Sequence, residues 1–379
     1  MSRTPLNAFC ALTMGQSPDS ESYNIEHNGF PFYQGNADFG RIHPMVRVWC
    51  SAPKKLAKAG DILISVRAPI GALNIADCDC CIGRGLAAIT PDATCADTMF
   101  LFYALYASAA ELQRRGTGST FKAISKNALS NLLLPSYCLK EQKEISAVLQ
   151  QVDHLISLRQ RQAEKLDELV KARFVEMFGD PVRNTKLFPQ HELKEYIQFL
   201  TSGSRGWAKF FSDDGELFIT IKNVKNGHIN LSDIQHVMPP DNAEAKRTKV
   251  QAGDLLISIT ADLGRTGVVS DNLAQRGAYI NQHLTCIRLK KDEVLPQYVS
   301  AFLESAAGKR QFSAKNQSAV KAGLNFEAIK SLRLFMPPLE LQREYIAFVN
   351  EVDREKERIQ RSAALLETLK RSLMQQYFG

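Results

Sequence analysis

The 379-residue sequence carries 47 Lys and Arg against 40 Asp and Glu, a formal net charge of +7, with 45% hydrophobic and 23% charged residues. That length allows two or three domains, and that balance supports real cores and argues against a disordered chain. There is no 18-residue apolar run to span a bilayer and no apolar signal region in MSRTPLNAFC; seven of the eight cysteines lie in the first half, which excludes a duplicated disulfide framework, so a reducing cytoplasm is the expected compartment.

Residues 1–138 read as a first globular unit. The turn Ala59-Gly60-Asp61 precedes a short buried strand, Ile62–Val66, and a second strand is expected over Ile82–Ile89. Thr98–Arg114 has the apolar spacing of a helix, with Phe100, Leu101, Tyr103, Ala104, Leu105 and Leu112 on it. The loop Gly116-Thr-Gly-Ser-Thr120 follows, and Ser125–Leu134 leads to Pro135.

Leu139–Gly179 is then the longest helix signal of the first half. Ile145, Val152, Arg159, Leu166 and Arg173 share one heptad position, and Val148, Leu155, Gln162 and Leu169 share the next, a seam of coiled-coil type. Gly179-Asp180-Pro181 ends it as a glycine and a proline should. At 1.5 Å per residue such a helix spans about 60 Å, longer than a small domain is wide, so it is expected to act as a spacer.

Residues 180–338 repeat the first unit. Gly253-Asp-Leu-Leu-Ile-Ser-Ile259 answers Gly60-Asp-Ile-Leu-Ile-Ser-Val66, a strand is expected over Tyr279–Leu289, and a helix over Leu295–Phe312. Gly215–Asn223 stands where Gly29–Gly40 stood, with unrelated detail. Leu339–Gly379 then copies Leu139–Gly179 at an offset of 200 residues without a gap: Gln142 matches Gln342, Val152-Asp153 matches Val352-Asp353, and Phe178-Gly179 matches Phe378-Gly379. Each long helix has 7 basic and 7 acidic residues, so the whole positive excess sits in the globular units, +2 in residues 1–138 and +5 in residues 179–338. Mild positive charge in those units suits a polyanion.

In this order, the segments GDILISVRAPIG, CIGRGLAAI and GDLLISITADLG, with the helices entered through LPSYCLKEQ and MPPLELQ and closed by ARFVEMFGDP and LMQQYFG, resemble the specificity (S) subunits of type I restriction–modification enzymes. The resemblance covers the whole length. It implies an α+β fold: two mixed α/β target recognition domains (1–138 and 180–338), separated and followed by spacer helices (139–179 and 339–379) that pair as an antiparallel coiled coil, with internal pseudo-twofold duplication. It implies that each domain reads one half of a bipartite double-stranded DNA target, while the helices set the gap and dock two methyltransferase (M) subunits. Restriction (R) subunits would join through the assembly. S-adenosylmethionine, ATP and Mg would belong to those partners, with no cofactor on this chain.

The residues themselves point the same way. Met238-Pro-Pro-Asp241 and Met336-Pro-Pro-Leu339 do not make the tetrad an adenine methyltransferase needs, and Ala307-Gly-Lys-Arg310 lacks the frame of a phosphate-binding loop. Cys78-Asp-Cys80-Cys81 has no second pair to complete a zinc site and reads as ordinary reduced cysteine. Base reading calls for Arg, Lys, Asn and Gln, and phosphate contact for Lys, Arg, Ser and Thr. At strand ends and glycine-bearing loops these are Gln16, Ser17, Gln34, Asn36, Arg67, Arg84, Ser119 and Lys122 in the first unit. In the second they are Arg205, Lys222, Asn223, Arg265, Asn281, Gln282 and Lys321. Trp207, beside Arg205, is expected in the core. Two other readings fit the duplication, a protein-binding coiled-coil adaptor and a duplicated α/β enzyme; the second lacks any nucleophile, base or metal set common to both halves.

Overall fold

The computed structural model describes residues 2–117, 122–316 and 323–379. Two compact units result: Met1–Arg161 together with Ile359–Gly379, and Gln162–Arg358. Among the described residues no helix is long and apolar enough to cross a membrane.

The first unit contains strands β1 (Cys10–Met14), β2 (Tyr23–Asn24), β3 (Phe30–Tyr33), β4 (Val48–Cys50), β5 (Leu56–Ala57), β6 (Ile62–Ser65), β7 (Leu73–Ile75), β8 (Cys80–Ile82) and β9 (Leu86–Pro91). They form an antiparallel sheet in the order β1-β9-β6-β7 and a mixed sheet in the order β2-β4-β3-β8-β5, in which β3 and β8 run parallel. The turn before β6 explains its Gly-Asp start. Gly60 holds a left-handed φ of 89°, and the buried Asp61 carboxylate accepts the Lys58 amide at 2.8 Å. The strand is continuously apolar because both faces are covered. Ile62 and Ile64 pack with helix α1 (Thr98–Ala107), whereas Leu63 faces Tyr33 and Ile82 of the mixed sheet.

The first long helix, α2, spans Leu139–Phe178. Its Gln142, fully buried, ties the helix to the unit: the side-chain carbonyl accepts the Asp97 amide, and the amide donates to the Cys95 and Tyr137 carbonyls, each at 2.9 Å. The second unit repeats the plan with β10 (Ile197–Ser202), β11 (Phe211–Ser212), β12 (Glu216–Ile219), β13 (Gln235–Val237), β14 (Leu255–Ser258), β15 (Thr266–Val268), β16 (Ala278–Ile280) and β17 (Leu284–Leu289). Their sheets run β10-β17-β14-β15 and β11-β13-β12-β16, and β12 pairs parallel with β16 as β3 does with β8. Helix α3 (Pro296–Glu304) takes the place of α1, and α4 (Leu339–Phe378) is the second long helix. Its Gln342 accepts the Leu295 amide and donates to the Pro337 carbonyl, both at 2.9 Å, as Gln142 does in its own unit.

The long helices pair antiparallel within each unit. In the first, Lys370 of α4 meets Asp153 of α2 at 2.6 Å, the Tyr137 hydroxyl donates to the Tyr377 carbonyl, and Phe378 packs on Phe100 with ring centroids 5.3 Å apart. In the second, Lys356 pairs with Asp167, and Phe178 packs on Tyr298 and Tyr345. Only one of the two apolar heptad positions faces inward in the first unit. Ile145 and Val152 are buried, with Leu149 and Ile156 beside them, while Val148 and Leu155 are 40% and 44% exposed. The buried seam is thus Ile145, Leu149, Val152 and Ile156, spaced four, three and four residues, the heptad spacing of a coiled coil in the neighbouring register.

The expected helices Thr98–Arg114 and Leu295–Phe312 are each two helices, broken at Ser108 and Ser305. Both hydroxyls donate to a carbonyl of the preceding turn, Ser108 to Ala104 and Ser305 to Phe302, offering the backbone an alternative to the helical ladder. The expected strands Ile82–Ile89 and Tyr279–Leu289 are also divided. Residues 83–85 and 281–283 carry the chain from the mixed sheet into the antiparallel one, and the apolar run continues because both sheets are buried there.

Candidate nucleic-acid interface

The strand break is the centre of the site. In the first unit three segments converge at the C-terminal ends of the parallel pair β3 and β8, where open sheets place ligands. The Gly83 amide donates to the Tyr33 carbonyl at 2.8 Å, Leu86 to Gly83 at 3.0 Å, and Val66 to Gly85 at 2.9 Å. Gln16, just after β1, donates to the Ile82 carbonyl at 3.0 Å, and Gly15 to Leu86 at 2.9 Å. Every one of these bonds has a counterpart in the second unit. Asn281 donates to Ile219, Leu284 to Asn281, Ile259 to His283, Ser204 to Ile280, and Gly203 to Leu284, all at 3.0–3.1 Å. The frame is one frame, and Gln16, Ser17, Gln34, Arg84 and Gly85 in one unit stand where Ser204, Arg205, Thr220, Gln282 and His283 stand in the other.

Close packing dictates where glycine is needed. A β-carbon on Gly83 would lie 2.3 Å from the Gln34 side-chain oxygen, and one on Gly85 would lie 2.5 Å from the Gln34 carbonyl oxygen. Gln34 thus occupies the space beside the break. Its side-chain amide exchanges hydrogen bonds with the Ser17 hydroxyl, which in turn takes the Arg84 backbone amide at 3.3 Å. Beside this group opens a cleft of about 390 Å³, with apolar lining from Tyr23, Phe32 and Val48 and polar lining from Ser17, Gln34, Asp38 and Arg84. Tyr23 and Phe32 stack with centroids 4.7 Å apart.

Ser17, Gln34 and Arg84 are therefore brought together, with exposed Gln16 on the adjoining strand end and half-buried Asn36 opening the short turn after Gln34. Arg67 and Lys122 form a second group: the Ile124 amide donates to the Val66 carbonyl at 2.9 Å, and Arg67 and Ala123 form an antiparallel bridge. Ser119 and Lys321 lie outside the described residues. Arg67, Arg84, Lys122, Arg205 and Lys222 are exposed, and among the described residues none has an acidic partner. Such charges are hydrated in the free protein and suited to displacing phosphate counterions.

Two expected contacts take other roles. Asn223 is 5% exposed; its oxygen accepts from the Thr220 amide and hydroxyl, and its nitrogen donates to the Asn230 carbonyl, so it closes a turn and presents nothing outward. Arg265 is held in an ion pair with Asp262. Asn281 and Gln282 sit in the break itself, half-buried, and Gln282 touches the His283 ring at 3.2 Å. His283 also meets the Thr260 hydroxyl at 2.7 Å, and Thr260 stands where Arg67 stood. Thr220, Thr260 and His283 were not expected from the sequence; laying CIGRGLAAI over the segment around YINQHLTCI brings Gly85 onto His283 and would have found the last of them. Trp207 is 3% exposed and packs on Phe218 and Tyr279.

Cys80 and Cys81 point to opposite faces of β8, one toward Tyr33 and the other toward Phe32 and Cys50. Burial pushes the Cys81 thiol up to about 12, so it stays protonated in this packing. Among the described residues no three His, Cys, Asp or Glu side chains gather to hold a metal.

Comparison with known proteins places this arrangement. A family model described as the type I restriction modification DNA specificity domain matches the chain twice, over residues 6–168 and 191–367. The putative type I restriction enzyme MjaX specificity subunit of Methanocaldococcus jannaschii is 42% identical over 163 residues, 43% of this chain and 38% of that protein. The MjaVIII specificity subunit of the same organism is 21% identical over 289 residues, 70% of this chain and 67% of that one. The chain thus spans well under half of the first relative and about two thirds of the second. In fold, the S subunit of a type I restriction–modification system from M. genitalium superposes over 100% of this chain and 96% of its own, with a TM-score of 0.58 at 14% identity.

Proposed function

Because the chain belongs to the type I restriction–modification DNA specificity family, we propose that it is the subunit that reads DNA for a type I system, each unit reading one half of a bipartite double-stranded target. The observation that carries this reading is the duplicated hydrogen-bonded frame with unlike side chains. A common backbone presents Ser17, Gln34 and Arg84 in one unit and Arg205, Thr220 and Gln282 in the other, as two readers of different sequence require. The unpaired cations around each frame supply phosphate contacts that fix position.

In this reading α2 and α4 set the number of unread base pairs and dock two methyltransferase subunits, and restriction subunits join through that assembly. The outward stripe supports docking: Val148, Leu155 and Leu158 on α2 and Leu365 and Leu369 on α4 are 38–72% exposed, more apolar surface than a free helix pair needs. The chain itself is non-catalytic, and S-adenosylmethionine, ATP and Mg act on the partners.

The test is methylome sequencing of a host that carries this chain with its methyltransferase subunit. A single bipartite motif is expected. Inserting four residues near Ala163 should change the gap, or abolish methylation, without changing the bases of either half. No methylated motif in a host that makes the assembled complex would refute the reading, as would methylation by this chain alone.

A further inference from the structure

We infer that Arg84 and Gln282 are corresponding specificity-determining residues, each choosing one base pair in its own half-site. This rests on the reading of each unit as a DNA reader. Both are the middle residue of the three that break a buried strand, and matching backbone bonds hold both breaks: Gly83 to Tyr33 and Leu86 to Gly83 in one, Asn281 to Ile219 and Leu284 to Asn281 in the other.

The surroundings make Arg84 the sole side chain of its break. Both neighbours are glycines: a β-carbon on Gly85 would meet the Gln34 carbonyl oxygen at 2.5 Å, and one on Gly83 would displace the Gln34 side chain from its place beside the break. The Arg84 amide is fixed to the Ser17 hydroxyl while its guanidinium is exposed and has no partner among the described residues. A guanidinium held at its base and free at its tip matches the two acceptors of guanine in the major groove. In the second unit the neighbours are Asn281 and His283, and the Gln282 amide rests against the His283 ring at 3.2 Å. A neutral amide offers one donor and one acceptor, the pattern of adenine. The same place in the frame thus selects G·C in one half-site and A·T in the other.

The experiment uses the complete complex with its methyltransferase subunits, the parent chain alongside Arg84→Gln and Gln282→Arg, and reads methylated motifs and enrichment from randomised DNA. R84Q is expected to replace a preference for G·C by one for A·T at one position of one half-site, with about 10–100-fold discrimination either way. Q282R is expected to do the reverse at one position of the other half-site. An unchanged thermal midpoint would accompany R84Q, as no side-chain contact of Arg84 is recorded among the described residues. Unaltered motifs in both variants would overturn the proposal, as would uniform weakening on all sequences, which marks a phosphate contact. A change in the same half-site from both variants would overturn it too. Where a variant no longer methylates, enrichment from randomised DNA separates the same outcomes. A parent complex that enriches no bipartite sequence would instead refute the function proposed above.

Discussion

Asp254 is the residue whose removal tests the energetics of the second unit most directly. Its side chain is fully buried, and Arg288 grips it with two parallel bonds, Nε to Oδ1 and Nη2 to Oδ2, both 2.8 Å, while remaining 23% exposed itself. The carboxylate also accepts the Gln251 amide at 2.8 Å and the Cys286 thiol at 3.2 Å, and the guanidinium lies over the Phe199 ring at 5.0 Å. The two alanine variants are therefore unequal. In Asp254→Ala the guanidinium turns to water, leaving one buried amide and the lost charged bonds, about 3 kcal/mol. In Arg288→Ala a fully buried carboxylate loses its cation partner and the Phe199 ring loses its cover, about 4–5 kcal/mol. Denaturant unfolding followed by Trp207 fluorescence, in a background where Trp49 is phenylalanine, reports on the second unit alone. Costs below about 1 kcal/mol for both variants, or a larger loss from D254A than from R288A, would show that the pair behaves as a surface ion pair and would refute the argument.

Gln142→Ala should cost about 3 kcal/mol, since it strands the Asp97 amide and two carbonyls in a buried site; a midpoint unchanged within error in denaturant would contradict this. Phe378→Ala should cost about 3–5 kcal/mol and speed amide exchange in α1 of the first unit while the second keeps its protection; faster exchange confined to the second unit would count against it. Lys122→Ala, and Lys321→Ala at the position matched in the sequence, should weaken binding to all DNA alike and lower the slope of log K against log salt by roughly 1, and equal slopes in parent and variants would sink the idea. Burial, opposed by His228 at 3.5 Å and by Lys356, holds the Asp353 carboxyl above the usual range. The parent should therefore gain stability relative to Asp353→Asn as pH falls through that raised pKa, because a raised carboxyl stabilises the fold only while protonated; a relative loss on acidification would reverse the assignment.

The duplication, the bounds of α2 and α4 and the Gly-Asp start of the central strands were legible because each leaves a local pattern: a gapless repeat, a helical period, a turn residue. The break at residues 83–85 was not. A strand that passes from one buried sheet into another stays apolar throughout, and periodicity has no term for a change of sheet. Arg84 was found as a polar residue between glycines, whereas Thr260 and His283 were missed, since a threonine and a histidine gain meaning only from the frame that holds them. Asn223 and Arg265 show the converse. Their types suit DNA, but one caps a turn and the other is already paired, and neither fact is written in the residue's neighbours along the chain.

The first unit draws on two distant stretches, Met1–Arg161 and Ile359–Gly379, whereas the second, Gln162–Arg358, is a single run. Synthesis therefore meets them in reversed order. At about 5–20 residues per second the ribosome delivers Phe378, which closes the core around Phe100, roughly 10–40 s after α2 has begun to emerge past Arg161. For that interval the earlier-made unit waits with its apolar floor uncovered, while the later-made one already has every residue it needs. A nascent chain of this design is most open to chaperones, and to premature capture by another copy's helix, in the part that left the ribosome first.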